Sequence, residues 1–182
     1  SKLLSSGQCA AFTVHIDSND NVYVGGNIVS GGLKPAFAKF DTDLNMSWAR
    51  YGNTGTHVWD IASFSNGDIL VCCGNIASRI AGASGSSPSV SWTANFTGQN
   101  FTRCAIDSND NLYVASQKYA YKANGSGSQQ WRGVVSNAGD SRPGVCIDSA
   151  DNPYFSFAAD NGSTYAMVSA NASTGAENWT NS

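Results

Sequence analysis

One segment of this chain is written more than once. Val14-His15-Ile16-Asp17-Ser18-Asn19-Asp20-Asn21-Val22-Tyr23-Val24 returns at Cys104 to Val114 and again at Val145 to Phe155. The aligned Asp17, Asp107 and Asp148 stand 90 and 41 residues apart, so the longer interval should hold two periods and a degenerate copy. Ile61 to Val71 fills that slot, with Phe64 in place of the aspartate. Tryptophans keep the same beat: Trp48, Trp92, Trp131 and Trp179 are 44, 39 and 48 residues apart. Such repetition restricts the chain to architectures in which small units stack, because one unit of this size cannot bury its own apolar face.

Each unit reads as four strands. A first strand (10–16, 57–63, 102–106, 142–147) ends at a turn of Asp, Ser, Asn and Gly, residues that tolerate positive φ and bond their own backbone. The second follows at once, as Asn21–Asn27, Asp68–Asn75, Asn111–Gln117 and Asn152–Ala158, with the period of two expected of strands. A third strand (Ala36–Phe40, Ser78–Ala81, Lys118–Tyr121, Tyr165–Ser169) leads through a polar turn to the Trp-bearing fourth. No stretch offers a helical stripe of useful length. The expectation is an all-β chain of four tandem four-stranded antiparallel blades, leaning face to face around an axis as a β-propeller, either closed with four blades or part of a larger propeller. A single domain would span 1–182, with blades about 1–55, 56–97, 98–137 and 138–182. The recurring Trp would fill the gap between neighbouring blades.

At these residues the chain resembles the bacterial β-propeller repeat family, often described as seven-bladed. The first repeat carries Asp17 to Val24, then Ala36-Phe37-Ala38-Lys39-Phe40-Asp41, then Trp48, in the family's order. The last repeat resembles the quinoprotein docking motif in Thr174-Gly175-Ala176-Glu177-Asn178-Trp179. The resemblance implies a scaffold, usually of more than four blades, on exported or exposed proteins including phage tail and fibre proteins. It implies no shared chemistry.

Composition narrows the function classes. The chain is 41% hydrophobic but only 13% charged, so Ser, Asn, Gly and Thr must dress its surface. Ten basic residues without a patch and a net charge of −3 argue against nucleic acid as partner. No apolar run approaches the length needed to span a bilayer, so membrane insertion is not expected. The odd count of five cysteines lacks zinc spacing and disulfide-scaffold density, which points to mostly reduced, buried thiols. Adjacent Cys72-Cys73 resembles the vicinal cystine of quinoprotein dehydrogenases, but reads as an ordinary inner strand.

Asp17 and Asn19, with their copies Asp107 and Asn109, are weak metal candidates: oxygens alternate, but the central Gly and downstream Glu of a calcium loop are missing. An Asx-stabilised turn explains them, and no metal or cofactor is expected. His15 and His57 sit among apolar neighbours and form no evident catalytic set, and the carboxylates fall mostly in turns. Ligand binding rests instead on aromatics outside the repeated core, Trp59 and Tyr51 first, with Phe101, Tyr119 and Phe96 behind them. Sequons occur at Asn45, Asn95, Asn100, Asn124, Asn161 and Asn171, and at Asn178, whose neighbour Trp179 would leave it partly buried.

Two functions from different classes fit. The first is a non-catalytic structural or binding module, extracellular, on a cell surface, filament or virus particle. It would contact protein subunits of a larger assembly or surface glycans, as an oligomer or as part of a longer chain. The alternative is a propeller enzyme or periplasmic sensor, quinoprotein-like or glycan-processing, with a small-molecule site at the channel mouth. Apolar inner-strand positions Val14, Ile16, Ile106 and Ile147 favour the first.

Overall fold

The computed structural model describes residues 8–53, 55–96, 101–116, 119–134, 143–158 and 165–181; the side chains of 101, 102, 134, 158, 165, 166 and 179–181 lie outside that description. The chain divides into two compact units, 1–98 and 99–182, and each holds two four-stranded antiparallel sheets. Sheet 1 comprises β1 (Cys9–Ile16), β2 (Val22–Val29), β3 (Leu33–Phe40) and β4 (Met46–Tyr51). Sheet 2 comprises β5 (Asp60–Ser63), β6 (Ile69–Cys73), β7 (Ile76–Ala81) and β8 (Ser89–Asn95). In the second unit, sheet 3 comprises β9 (Phe101–Ile106), β10 (Leu112–Ser116), β11 (Tyr119–Ala123) and β12 (Gln129–Val134). Sheet 4 comprises β13 (Gly144–Ile147), β14 (Pro153–Ala158), β15 (Tyr165–Ala170) and β16 (Glu177–Asn181). Strands lie in sequence order in every sheet, and no helix occurs among the described residues.

Where bounds differ from the sequence reading, local chemistry explains it. Gly31 and Gly32 adopt φ of 63° and 129°, which tightens the hairpin so that β2 runs to Val29 and β3 starts at Leu33 rather than Ala36. β5 starts at Asp60 rather than 57 because the residues before it serve the first sheet. The Val58 amide donates to the Gly26 carbonyl (2.9 Å), and its buried side chain packs where Gly25 has no Cβ.

Alternation assigns the faces. Tyr23 lies opposite His15 and Lys39, and Lys39 opposite Trp48, so these four share one face of sheet 1. Val14, Val24 and Ala38 share the other. The Tyr–Lys–Trp face of sheet 1 covers Ile61, Ile69, Val71 and Ile80 of sheet 2. In the second unit the same face of sheet 3, carrying Tyr113 and Trp131, covers Phe155, Phe157 and Val168 of sheet 4. Each aliphatic or aromatic side chain so buried contributes about 1.5–3 kcal/mol relative to exposure.

The matching face of sheet 1 has no such cover within its unit. Val14 is 67% exposed and Ile16 59%, whereas Ile61 and Val71, at the repeat positions of Val14 and Val24, are 3% and 2% exposed. Val14 and Ile16 are thus apolar, as their sequence positions imply, but exposed in this chain. Burial of cysteines also needs correction. All five thiols are free; Cys72, Cys73 and Cys104 are buried, but Cys9 and Cys146 are exposed.

Candidate functional site

The repeated Asp is the keystone of each first turn. Asp17 Oδ1 accepts hydrogen bonds from the amides of Asn19 (2.9 Å) and Asn21 (3.0 Å). The Asn21 side-chain amide reaches both carboxylate oxygens (3.1 and 2.8 Å), and the Tyr23 hydroxyl donates to Oδ2 at 3.2 Å. Asp107 holds Asn109, Asn111 and Tyr113 in the same way, and Asp148 holds Ala150, Asn152 and Tyr154. Positive φ at Asp20, Asp110 and Asp151 completes each turn. Partial burial works to raise the Asp17 carboxyl, but the donors from Asn21, Asn19 and Tyr23 outweigh it and hold the group below the usual carboxylate range. At the metal candidates Asp17 and Asp107, both oxygens thus meet N–H and O–H donors, and Asn19 and Asn109 give their backbone amides. Among the described residues no cluster of three metal-ligating side chains forms.

Sheet 2 replaces this device with another. Phe64 stands for the aspartate and Leu70 for the tyrosine. The Asp68 carboxylate instead takes Arg79 Nε (2.8 Å), the Asn66 side chain and the Gly82 amide, while the Arg79 guanidinium lies 4.0 Å from the Phe64 ring centroid.

Each unit joins its two sheets through the tryptophan. Trp48 Nε1 donates to the carbonyls of Ala83 (3.2 Å) and Gly85 (3.0 Å), and the Lys39 ammonium donates to Ser84 O in the same loop of sheet 2. In sheet 3, Trp131 Nε1 (3.1 Å) and Lys122 Nζ (2.8 Å) both donate to Ala172 O of sheet 4. Gly175 lies under the Trp131 ring: a Cβ there would meet Cδ2 at 2.6 Å. Trp92 is half-buried, and the side chain of Trp179 lies outside the described residues. The buried lysines Lys39 and Lys122 were missed from sequence, although Lys39, Arg79 and Lys122 recur at one repeat position and could have signalled a partner.

The aromatic candidates fall in different places. Trp59 is half-buried and stacks on His57 (centroids 4.9 Å, 25°), with Phe12 of β1 closing the cluster at 5.1 Å from Trp59. Below this cluster β1 and β5 are tied by polar side chains: the Thr13 hydroxyl donates to Asp60 Oδ1 (3.1 Å), and His15 Nε2 meets Ser63 Oγ at 3.0 Å. Burial lowers the His15 pKa against the opposing pull of Asp60 and Asp17, which favours the uncharged ring. The His57 ring contacts the Thr56 hydroxyl at 2.6 Å. Neither imidazole donates a hydrogen bond to a carboxylate among the described residues, so a hydroxyl–imidazole pair exists without the third group that orients a nucleophile's base. What the arrangement offers is a ring stack with polar groups beside it.

Tyr51 is exposed at the end of β4, with the Lys34 ammonium 5.2 Å from its ring centroid. Tyr119 is half-buried beneath the Arg132 guanidinium (5.0 Å) and beside Tyr121. Trp59 and Tyr51 belong to the first unit and Tyr119 to the second. The Phe101 side chain lies outside the described residues, and Phe96 is buried, which removes it as a surface candidate. Of the sequons, Asn45, Asn95, Asn171 and Asn178 are exposed and Asn124 is half-buried; Asn100 and Asn161 lie outside the described residues. Asn178 is therefore more open than its neighbour Trp179 suggested.

No protein-family model matches the chain, and no curated protein matches it. Solved structures do. A Lactobacillus plantarum protein is similar over 96% of this chain and 55% of its own, at 15% identity and TM-score 0.73. The WD40 β-propeller domain of Doa1 is similar over 80% of this chain and 47% of its own, at 10% identity and TM-score 0.64. PorZ, a surface component of the type-IX secretion system of Porphyromonas gingivalis, is similar over 86% of this chain and 24% of its own, at 10% identity and TM-score 0.60. The chain thus spans at most about half the length of these three. Likeness at this identity speaks for the fold alone: four consecutive antiparallel four-stranded blades of the β-propeller class.

Proposed function

We propose that this chain is a non-catalytic structural and binding module, exposed on a cell surface, an extracellular filament or a virus particle, that acts by face-to-face contact with protein subunits of a larger assembly. The open apolar face of sheet 1 carries this reading. Its equivalents in sheets 2 and 4 are core because a Tyr–Trp face covers them. Exposed Val14, Ile16 and Met46 make an apolar surface of the kind that marks a contact site. The partner is a blade face of the same kind, and sheet 4 of a second copy offers one with Tyr154 and exposed Met167. Support for an exposed location comes from the dressed, weakly charged surface and from the surface-located PorZ among the structural neighbours.

Light scattering on the purified chain tests this. The reading expects a mass at a multiple of 19.0 kDa that falls to one copy on dilution and in an Ile16→Glu variant. A monomer at every concentration, or an oligomer indifferent to Ile16→Glu, speaks against it. A second mode, glycan contact, is favoured by the Phe12–His57–Trp59 stack, since aromatic faces pack on sugar rings. Oligosaccharide-dependent Trp fluorescence that disappears in Trp59→Ala is its expected signature, and fluorescence unmoved by any oligosaccharide removes it.

A further inference from the structure

A cavity of about 260 Å3 opens in the first unit between the outer strands of sheets 1 and 2. Its floor is apolar: Phe37 from β3, Val71 and Cys73 from β6, and Ile80 from β7. Burial first, and the adjacent Cys72 second, push the Cys73 thiol up to about 12, so the floor carries no charge at physiological pH. Its size is near the lower end for small-molecule sites, about 300 Å3, and such sites pair an apolar lining with a few placed polar groups.

The polar groups are at the mouth. Arg50 lies opposite Phe37 in the β3–β4 register, which aims it to the cavity side of sheet 1, and it lines the cavity with Tyr51. Its guanidinium donates to the Ala49 carbonyl at 2.9 Å and, among the described residues, forms no ion pair. A cation without a carboxylate partner among the described residues thus stands beside an apolar hollow, on a chain whose net charge is negative. A guanidinium's planar fork matches a carboxylate with two parallel hydrogen bonds.

We propose that this cavity binds a small amphiphilic carboxylate. Its apolar body rests on Phe37, Val71, Cys73 and Ile80, and its carboxylate accepts from Arg50. Binding here is independent of how sheet 1's open face is covered.

Calorimetric titration with octanoate tests it, against 1-octanol, which keeps the tail, and acetate, which keeps the head. Octanoate should bind, with octanol and acetate each weaker by at least about tenfold, the loss expected when one charged hydrogen-bonded contact or the apolar contact is withdrawn. Arg50→Ala should weaken octanoate by a similar factor and leave octanol unchanged, with Arg50→Lys between them. Val90, at the mouth and exposed, supplies a variant safe for folding: Val90→Glu should weaken octanoate further by like-charge repulsion. Thermal melts of each variant confirm the fold. Octanol binding as tightly as octanoate, an Arg50→Ala variant indistinguishable from the parent, or no octanoate binding at millimolar concentration would each overturn the proposal.

Discussion

Sheets 1 and 2 present the same face in the same register, and at the first strand one is core while the other is surface, although Ala36 and Ala38 of the same face are buried. Val14 and Ile61 hold one repeat position, as do Val24 and Val71. Ile61 and Val71 are buried because Tyr23, Lys39 and Trp48 stand over them. Val14 and Ile16 have no such neighbour in their unit. Strand periodicity decides which way a side chain points, while the adjoining sheet decides whether that direction is interior. Sheet 4 repeats the lesson, since Phe155 and Val168 are core under Tyr113 and Trp131.

The comparison can be broken by removing the cover. Trp48→Ala should make sheet 2 resemble sheet 1, exposing Ile61 and Val71 and leaving Ala83 and Gly85 carbonyls without their donor. The expected cost is about 3–5 kcal/mol in denaturant unfolding. Next in size is a matched pair. Ile61→Ala should cost about 2–4 kcal/mol, and Val14→Ala at dilute concentration less than about 0.5 kcal/mol. Equal losses would mean the two faces are not equivalent in the way described.

Gly175→Ala should cost about 1–3 kcal/mol, because its new Cβ strikes the Trp131 ring in a backbone with φ of 70°. Gly31→Ala, at φ 63° but with open space around it, isolates the backbone part and should cost about 1 kcal/mol.

The aspartate turns give an effect that depends on pH. Asp17→Asn removes an ionised acceptor from Asn21, Asn19 and Tyr23 and should cost about 1–2 kcal/mol. Because the folded Asp17 carboxyl titrates below its unfolded value, its stabilisation is complete above the ordinary carboxylate range near pH 4. It is lost as pH falls through the folded value. Urea midpoints should therefore drop below about pH 4 in the parent, and less steeply in Asp17→Asn.

Much of this was legible in the residues themselves. The Asp17–Tyr23 turn and its copies are local, so their repetition announces both hairpin and register. The spacing of Trp48 and Trp131 foretold one large ring for each sheet-to-sheet contact. What escaped depends on neighbours distant in sequence. Alternation sets which way Val14 and Ile16 point, but it cannot say whether another sheet follows to cover them. Lys39 and Lys122 look like surface charges until the carbonyls of Ser84 and Ala172 appear above them. Trp59 was singled out as an aromatic off the repeat, but its stack with His57 and Phe12 exists only because β1 and β5 run side by side. The Arg50 cavity takes its lining from two sheets, which no single repeat encodes.

Hydroxyl-radical footprinting of Val14 and Ile16, with Ile61 and Val71 as internal references, across a concentration series is the most direct measurement. If another blade face belongs on sheet 1, Val14 and Ile16 should react freely in dilute protein and approach the protection of Ile61 and Val71 as association proceeds. Oxidation of Val14 and Ile16 that stays high while the protein associates, or protection already complete in a monomer, would contradict the account.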